Sequence, residues 1–207
     1  MALYLVRHGE TDWNREKRFQ SLTDVPLNAN GIAQAQALRD ELRRRNVAFS
    51  QAYCSPLSRA VETARIVLEG STTPLAVEQA FIELSLGEYE GVLESELRAR
   101  LGPAYDEWRA MQYTVSPPGG ESIVDGAVRV REAVLSLKPQ ADGANVLVVA
   151  HQAVNMAIKV ALTGRADVAS AATFRQNNDE VDVWDLHDAV LLERFRIEPA
   201  APGSTGA

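Results

Sequence analysis

This chain has little of what holds small folds together covalently or through metals: 207 residues contain one cysteine, Cys54, and three histidines. One thiol cannot close an intrachain disulfide, and there is no Cys cluster for zinc or an iron–sulfur centre. The histidines lack the paired spacing of a metal site, so no metal or other cofactor is expected. A lone cysteine suits a reducing, cytoplasmic setting. Long apolar runs are missing too. None approaches the ~20 residues of a membrane span, and the first residues show no basic region leading into an apolar stretch, as a signal peptide would. Positive charge is in deficit: 21 Lys and Arg face 28 Asp and Glu, a formal charge of −7. That balance argues against nucleic acid or an anionic membrane as the main partner. The patterns GxxxxGK[ST], GxSxG and HExxH are absent.

What is present is an ordinary core: 46% hydrophobic and 24% charged residues fit one domain, or one domain with a small insertion. Leu3–Val6 and Val146–Ala150 are short, unbroken apolar runs, the mark of strands buried on both faces. Asn28 is placed to cap a helix with Ile32, Ala35, Leu38 and Leu42 on one face. Gln51–Cys54 reads as a strand. Ser55-Pro56 reads as an N-cap and first helical position, opening a helix to about Leu68. Leu75–Gln79 reads as a further strand. Glu94–Met111 reads as helix broken at Gly102-Pro103. Ser122-x-x-Asp125 approximates a capping box, before an apolar stripe from Ile123 to Leu137 that Pro139 should stop. Gln152–Leu162 is a helix, and Val181–Leu186 with Val190–Ile197 a terminal hairpin. Strands alternating with helices predict an α/β fold, a three-layer α/β/α sandwich around a mostly parallel sheet. A helical cap insertion is expected at about 84–118, and the tail Pro199–Ala207 should be flexible.

Ligands in open α/β sheets bind beyond the carboxyl ends of the strands. His8, preceded by Arg7, and His151 both follow buried strands; His187 sits in a turn beside Asp188 and reads as surface. If Ser55 is the N-cap, Arg59 is the fourth helical residue, where the macrodipole disfavours a cation. An anion between the helix and the guanidinium would explain that placement, making Arg7 and Arg59 two forks on one phosphate. Cys54 and Arg59 do not form a cysteine phosphatase loop. Four residues intervene rather than five, and Pro56 removes an N–H that such a loop needs.

The run Arg7-His8-Gly9-Glu10-Thr11, with Asn14, Phe19-Gln20, Asp24-x-Pro26-Leu27 and Gly31, resembles the histidine phosphatase (phosphoglycerate mutase-like) superfamily. Ser55-Pro56-Leu57-x-Arg59-Ala60-x-x-Thr63-Ala64, Glu83 with Gly87-x-x-Glu90-Gly91, Gly119-Gly120-Glu121-Ser122 and Val149-Ala150-His151 continue the likeness in order. The Gln176-Asn177-Asn178 run resembles it less specifically. The resemblance implies that His8 attacks phosphorus, with its other ring nitrogen held by a carbonyl. Gly9 would let the backbone turn sharply and approach the phosphoryl group. Arg7, Arg59 and a preferably protonated His151 would offset phosphoryl charge. Asn14 and Gln20 would bond phosphate or substrate. Spacing alone does not choose the proton donor among Glu83, Glu88 and Glu90; the resemblance chooses Glu83, leaving the other two as solvated surface charges.

Two positions depart from the family pattern: Ser21 replaces a glycine, and Gln152-Ala153 replaces Gly-Gly. Both are placed near the phosphate, as further substrate-binding candidates. The implied activity is metal-independent hydrolysis of a small phosphorylated metabolite through phosphohistidine. A phosphoglycerate mutase and a non-catalytic phospholigand-binding protein are the alternatives. The mutases of the family have basic residues after the catalytic acid, whereas this chain has no base between Glu83 and Arg98, which favours hydrolysis; the alternative is that Arg98, Arg100 or Arg109 folds back over the pocket and supplies the charge. No nucleic-acid or membrane partner is expected, and a homodimer is left open.

Overall fold

The computed structural model describes residues 2–140, 144–166 and 173–197. The tail from Pro199 onward lies outside them. Six strands form one sheet: β1 (Ala2–Arg7), β2 (Phe49–Cys54), β3 (Leu75–Val77), β4 (Asn145–Ala150), β5 (Glu180–Asp185) and β6 (Val190–Arg196), in the order β3-β2-β4-β1-β5-β6. The pairs β3/β2, β2/β4 and β4/β1 are parallel, and β5 runs antiparallel to both neighbours. The sheet is thus mostly parallel, as the alternation of strands and helices predicts. Helices α2 (Ala29–Arg44) and α3 (Ser58–Val67) pack on one face. On the other lie α6 (Ile123–Gln140) and α7 (Gln152–Thr163). A single turn, α1 (Asp12–Arg15), follows β1, while α4 (Glu94–Leu101) and α5 (Pro103–Met111) sit between β3 and α6.

The central strands read as unbroken apolar runs because both faces are covered. Side chains alternate along a strand, so Val146, Val148 and Ala150 join the core under α6 and α7, whereas Leu147 and Val149 join the core under α2 and α3. Asn28 caps α2 by accepting from Gly31 N at 2.9 Å, and Ser122 and Asp125 exchange side-chain-to-backbone bonds at the start of α6. The Gly102-Pro103 break falls between α4 and α5. Those two helices have their own cluster: Trp108 meets Phe19, Tyr89 and Tyr105 edge-on, with Leu97 beneath.

Three readings of the sequence need correction. The third helix begins at Ser58 with Leu57 as its N-cap, so Ser55 is not a cap and Arg59 is the second helical residue. The strand at Leu75 ends at Val77 and gives way to a 3-10 turn, Gln79–Phe81. Helix α6 continues through Pro139 to Gln140.

Candidate active site

Strand register brings the two histidines together. Arg7 pairs with Ala150 across β1/β4, and His8 N donates to Ala150 O at 2.9 Å, so His8 and His151 follow side by side. Their ring centroids are 5.0 Å apart, close to the spacing of neighbouring strands. On the far side of β4, Ser55 N donates to Val149 O, which sets Ser55 Oγ 2.6 Å from His151 Nε2. Three adjacent strands thus deliver Ser55, His151 and His8 in a row.

His8 Nδ1 lies 2.7 Å from Gly9 O. A carbonyl only accepts, so Nδ1 carries the proton and Nε2 keeps its lone pair. Burial, then the charges of Arg59 and Arg7, push the His8 pKa well below the usual 6.5. The imidazole is therefore neutral and nucleophilic at its free nitrogen. Asn178 Nδ2 donates to His8 O at 2.6 Å, fixing the backbone behind it. Gly9 is needed for a reason other than a sharp turn: a Cβ there would lie 2.4 Å from Gly31 O, so the loop packs backbone to backbone on α2. Gly9 N donates to Thr63 Oγ1, which donates in turn to Arg59 O.

Arg59 is fully buried and heavily tethered. Nη1 donates to Thr23 O at 3.0 Å, Nη2 to Ser21 O at 2.7 Å, and Nε to His151 Nδ1 at 3.2 Å. With the Gln20 amide oriented by its partners, its oxygen accepts from Arg59 Nε at 2.9 Å and its nitrogen donates to Thr11 Oγ1. Arg7 is less engaged: Nη1 reaches Gln176 O at 3.5 Å, and Nε is buried without a partner. Burial lowers both guanidinium pKa values to about 10, so both stay charged at neutral pH. His151, in contrast, is not protonated as the sequence reading prefers. Its Nδ1 accepts from Arg59, and burial plus the nearby cations depress its pKa well below 6.5.

Glu83 is 6% exposed and sits at the N-terminus of α7. Its Oε1 accepts from Leu84 N and Val154 N, and its Oε2 from Ala153 N at 3.2 Å. Two otherwise unsatisfied N–H groups of the helix start are met this way. Burial raises the carboxyl pKa, with the three amides pulling it back; Phe81 and Leu84, both buried, supply the apolar surround. The segment is braced by Arg129, which donates to Ala80 O, Ile82 O and Glu121, while Glu121 Oε2 accepts from Ser85 N.

A cleft of about 180 Å³ opens above these groups, lined by Arg7, Asn14, Gln20, Glu83 and Gln152. Five candidates from the sequence therefore line it; His8, Arg59 and His151 are buried and not among its lining residues, Arg59 meeting it through the Gln20 amide and His8 following Arg7 directly. Ser21 does not face it. Its hydroxyl donates to Glu90 Oε2 at 2.7 Å and accepts from Leu86 N. Glu90 is correspondingly no solvated surface charge. It takes Ser21 N, Ser21 Oγ and Thr23 N. Glu88 and His187 are exposed, as read.

Sequence reasoning reached the other wall through Arg109, as one of three bases that could fold back over the pocket. Trp108 and Arg109 from α5, together with Arg18 and Arg175, complete the cleft. The packing of α5 on Phe19 and Tyr89 brings in Trp108 and Arg109, while Arg18 and Arg175 come from the segments after α1 and before β5. The premise that bases are absent near Glu83 fails for the same reason. Thr63 was more accessible to reasoning, being one helical turn from Arg59. A larger hollow of about 380 Å³ lies between the end of α7 and the β5–β6 turn, at the opposite end of the sheet from the histidines.

Residues 3–191 match the model of the histidine phosphatase superfamily, branch 1. The chain belongs to this family. It is 40% identical over 155 residues to a 2,3-bisphosphoglycerate-dependent phosphoglycerate mutase of Methylobacterium radiotolerans, covering 72% of this chain and 73% of that protein. It is 34% identical over 154 residues to the adenosylcobalamin/alpha-ribazole phosphatase of Salmonella typhimurium, covering 74% and 75%. Among solved structures, a mycobacterial glucosyl-3-phosphoglycerate phosphatase complexed with VO3 superposes with a TM-score of 0.80 at 30% identity, over 89% of this chain and 92% of that one. This histidine phosphatase family member is an enzyme, with relatives of both mutase and phosphatase type. No helix among the described residues is long and apolar enough to cross a membrane.

Proposed function

We propose that this enzyme hydrolyses a small phosphate monoester through a phosphohistidine at His8. The observation that carries the reading is the pairing of His8, its Nδ1 fixed on Gly9 O, with a buried Glu83 whose pKa is raised. Nε2 attacks phosphorus, with Arg7 and Arg59 meeting the charge on the equatorial oxygens. The P–O ester bond breaks, and Glu83 gives its proton to the departing alkoxide. Water then attacks the phosphohistidine, returns a proton to Glu83, and phosphate leaves. Asn14 and Gln20 orient the phosphoryl group, and Gln152 contacts the alcohol part. No step calls for a metal, and the described residues include no group of three or more His, Cys, Asp or Glu that could hold one.

A second reading, a phosphoglycerate mutase, draws support from Arg109 in the cleft and from the mutase relatives. Against it, Leu84-Ser85-Leu86 follows Glu83, and Leu86 lines the cleft where a basic residue would shield the phosphohistidine from water. Incubation with 3-phosphoglycerate, with and without catalytic 2,3-bisphosphoglycerate, decides between them. Release of free phosphate from monoesters is the expected result; fast, bisphosphate-dependent formation of 2-phosphoglycerate would establish the mutase instead.

A further inference from the structure

Residues 19–26, which carry Gln20 to the cleft, form neither helix nor strand, so no ladder fixes their carbonyls. Yet two of those carbonyls, Ser21 O and Thr23 O, take Arg59 Nη2 at 2.7 Å and Nη1 at 3.0 Å. The amides of the same two residues go to one carboxylate. Ser21 N and Thr23 N donate to Glu90 Oε1 at 3.2 and 2.6 Å, and Ser21 Oγ donates to Oε2 at 2.7 Å. The chain around Glu90 is itself held: Gly91 N donates to Phe19 O at 2.8 Å, and Phe19 N to Val92 O at 2.9 Å. Asp24 supplies a second tie, accepting from Ser58 N and Ser58 Oγ at the start of α3. Glu90 does not line the cleft. Burial pushes its pKa up, but the bonds from Thr23 and Ser21 outweigh burial and bring it below the usual carboxylate value, opposite to Glu83.

We infer that Glu90 is a positioning residue for Arg59: by gripping the Ser21 and Thr23 amides, it sets the two carbonyls that aim the guanidinium at the phosphoryl group. The inference rests on the monoesterase reading for what Arg59 does, and deepens it by taking Glu90 out of the choice of proton donor. A guanidinium delivers its charge through a rigid planar fork, so a shift of its two carbonyl partners moves every N–H together. Such donors stabilise a transition state only where they already point at the developing charge. The reach of the Glu90 side chain matters here more than its charge. Glutamine keeps one oxygen for both amides and an NH2 group for the Ser21 hydroxyl. Aspartate keeps the charge and is one methylene short.

Sulfate binding, read by calorimetry well below the melting temperature of each variant, tests this without requiring turnover. Glu90→Ala should weaken it about tenfold or more, the range of hydrogen bonds to charged groups, and Glu90→Gln should stay within about threefold of wild type. Glu90→Asp should fall between them, nearer to Ala. In an Arg59→Lys background, which lacks the fork, Glu90→Ala should cost far less than in the wild type. On esters, Glu90→Ala should lower kcat/KM by the same factor for alkyl and aryl phosphates. A lowered melting temperature with sulfate affinity unchanged, Asp binding as well as Gln, or equal losses in both Arg59 backgrounds overturns the inference. Should Glu90→Ala not fold, the ranking of Gln over Asp decides alone. Gln and Ala equally inactive on alkyl phosphates, with aryl phosphates spared, would instead make Glu90 the proton donor. If the wild type cleaves no monoester, the monoesterase reading fails, and the sulfate titrations still decide the role of Glu90.

Discussion

Arg59 donates from Nε to Nδ1 of His151 at 3.2 Å, and the same imidazole places Nε2 against Ser55 Oγ at 2.6 Å. That arrangement keeps His151 neutral, because a guanidinium at about pKa 10 holds its proton throughout the neutral range. A dianion entering beside Arg59 reverses the balance: negative charge raises a nearby imidazole pKa. Sulfate, which does not titrate near neutrality, should therefore bind with uptake of a proton and bind more tightly as pH falls. Calorimetry at pH 6.5 in two buffers of different ionisation enthalpy reads the uptake directly. His151→Gln should remove it; binding with no proton change in the wild type counts against a titrating His151.

His8→Ala should reduce turnover by about 10³-fold or more, as loss of a nucleophile does. His187→Ala should leave it unchanged, since His187 is exposed and, among the described residues, bonded only within its own turn. Quenched reactions should contain an acid-labile, alkali-stable phosphoenzyme on His8, formed equally well in EDTA. A phosphoserine, or activity lost to the chelator and restored by metal, refutes the mechanism.

Glu83→Gln should cut kcat by about 10²-fold or more on alkyl phosphates and far less on aryl phosphates, which leave with little proton assistance. The pH profile follows from two opposite shifts. His8 is depressed, so the neutral nucleophile persists to lower pH; Glu83 is raised, so the acid persists to higher pH. The rate falls below the first as His8 protonates and above the second as Glu83 ionises, giving a bell-shaped profile whose acid limb belongs to His8 and whose alkaline limb belongs to Glu83. The variant should lose the alkaline limb when compared with wild type on one substrate. Retention of that limb assigns it to another group.

Ser21→Ala should destabilise the protein without changing which substrates it prefers. The hydroxyl joins Glu90 to the Leu86 amide, and its loss leaves buried partners unsatisfied at a cost of about 1–3 kcal/mol. Urea denaturation measures that cost. An altered substrate ranking at unchanged stability contradicts this placement.

The central strands and their histidines were legible because burial on both faces leaves an unbroken apolar signature, and β1/β4 register then brings His8 and His151 together. The start of α3 was misread because Ser55-Pro56 satisfies the local rules for a cap, while the serine is drawn to His151 across the sheet. Ser21 was placed by its neighbour Gln20 in sequence, but the chain bends at Ser21 and its hydroxyl goes to Glu90 and the Leu86 amide. Arg109 was legible as one of three bases that could fold over the pocket, but its selection, and Arg175 altogether, were not: the two share a wall only after α5 and the segment before β5 have folded, and no spacing in one chain encodes that meeting.

Arg129 lies outside the cleft lining, yet it should govern proton transfer. Its guanidinium donates to Ala80 O at 2.6 Å and Ile82 O at 3.1 Å, and to Glu121, whose other oxygen takes Ser85 N. These bonds clamp the backbone on both sides of Glu83. Lysine keeps the charge of arginine but cannot make the fork, so Arg129→Lys should loosen that segment while leaving His8, Arg7 and Arg59 in place. A displacement of about 1 Å at a catalytic group can cost about 10²-fold. Alkyl phosphate turnover should therefore fall by about tenfold or more at nearly constant KM, with aryl phosphate turnover much less affected. Stability should fall along with it, and melting alone says nothing about the proton donor. The ratio of alkyl to aryl rates does, and a variant that melts earlier with this ratio unchanged would show that Arg129 holds the fold and not the acid.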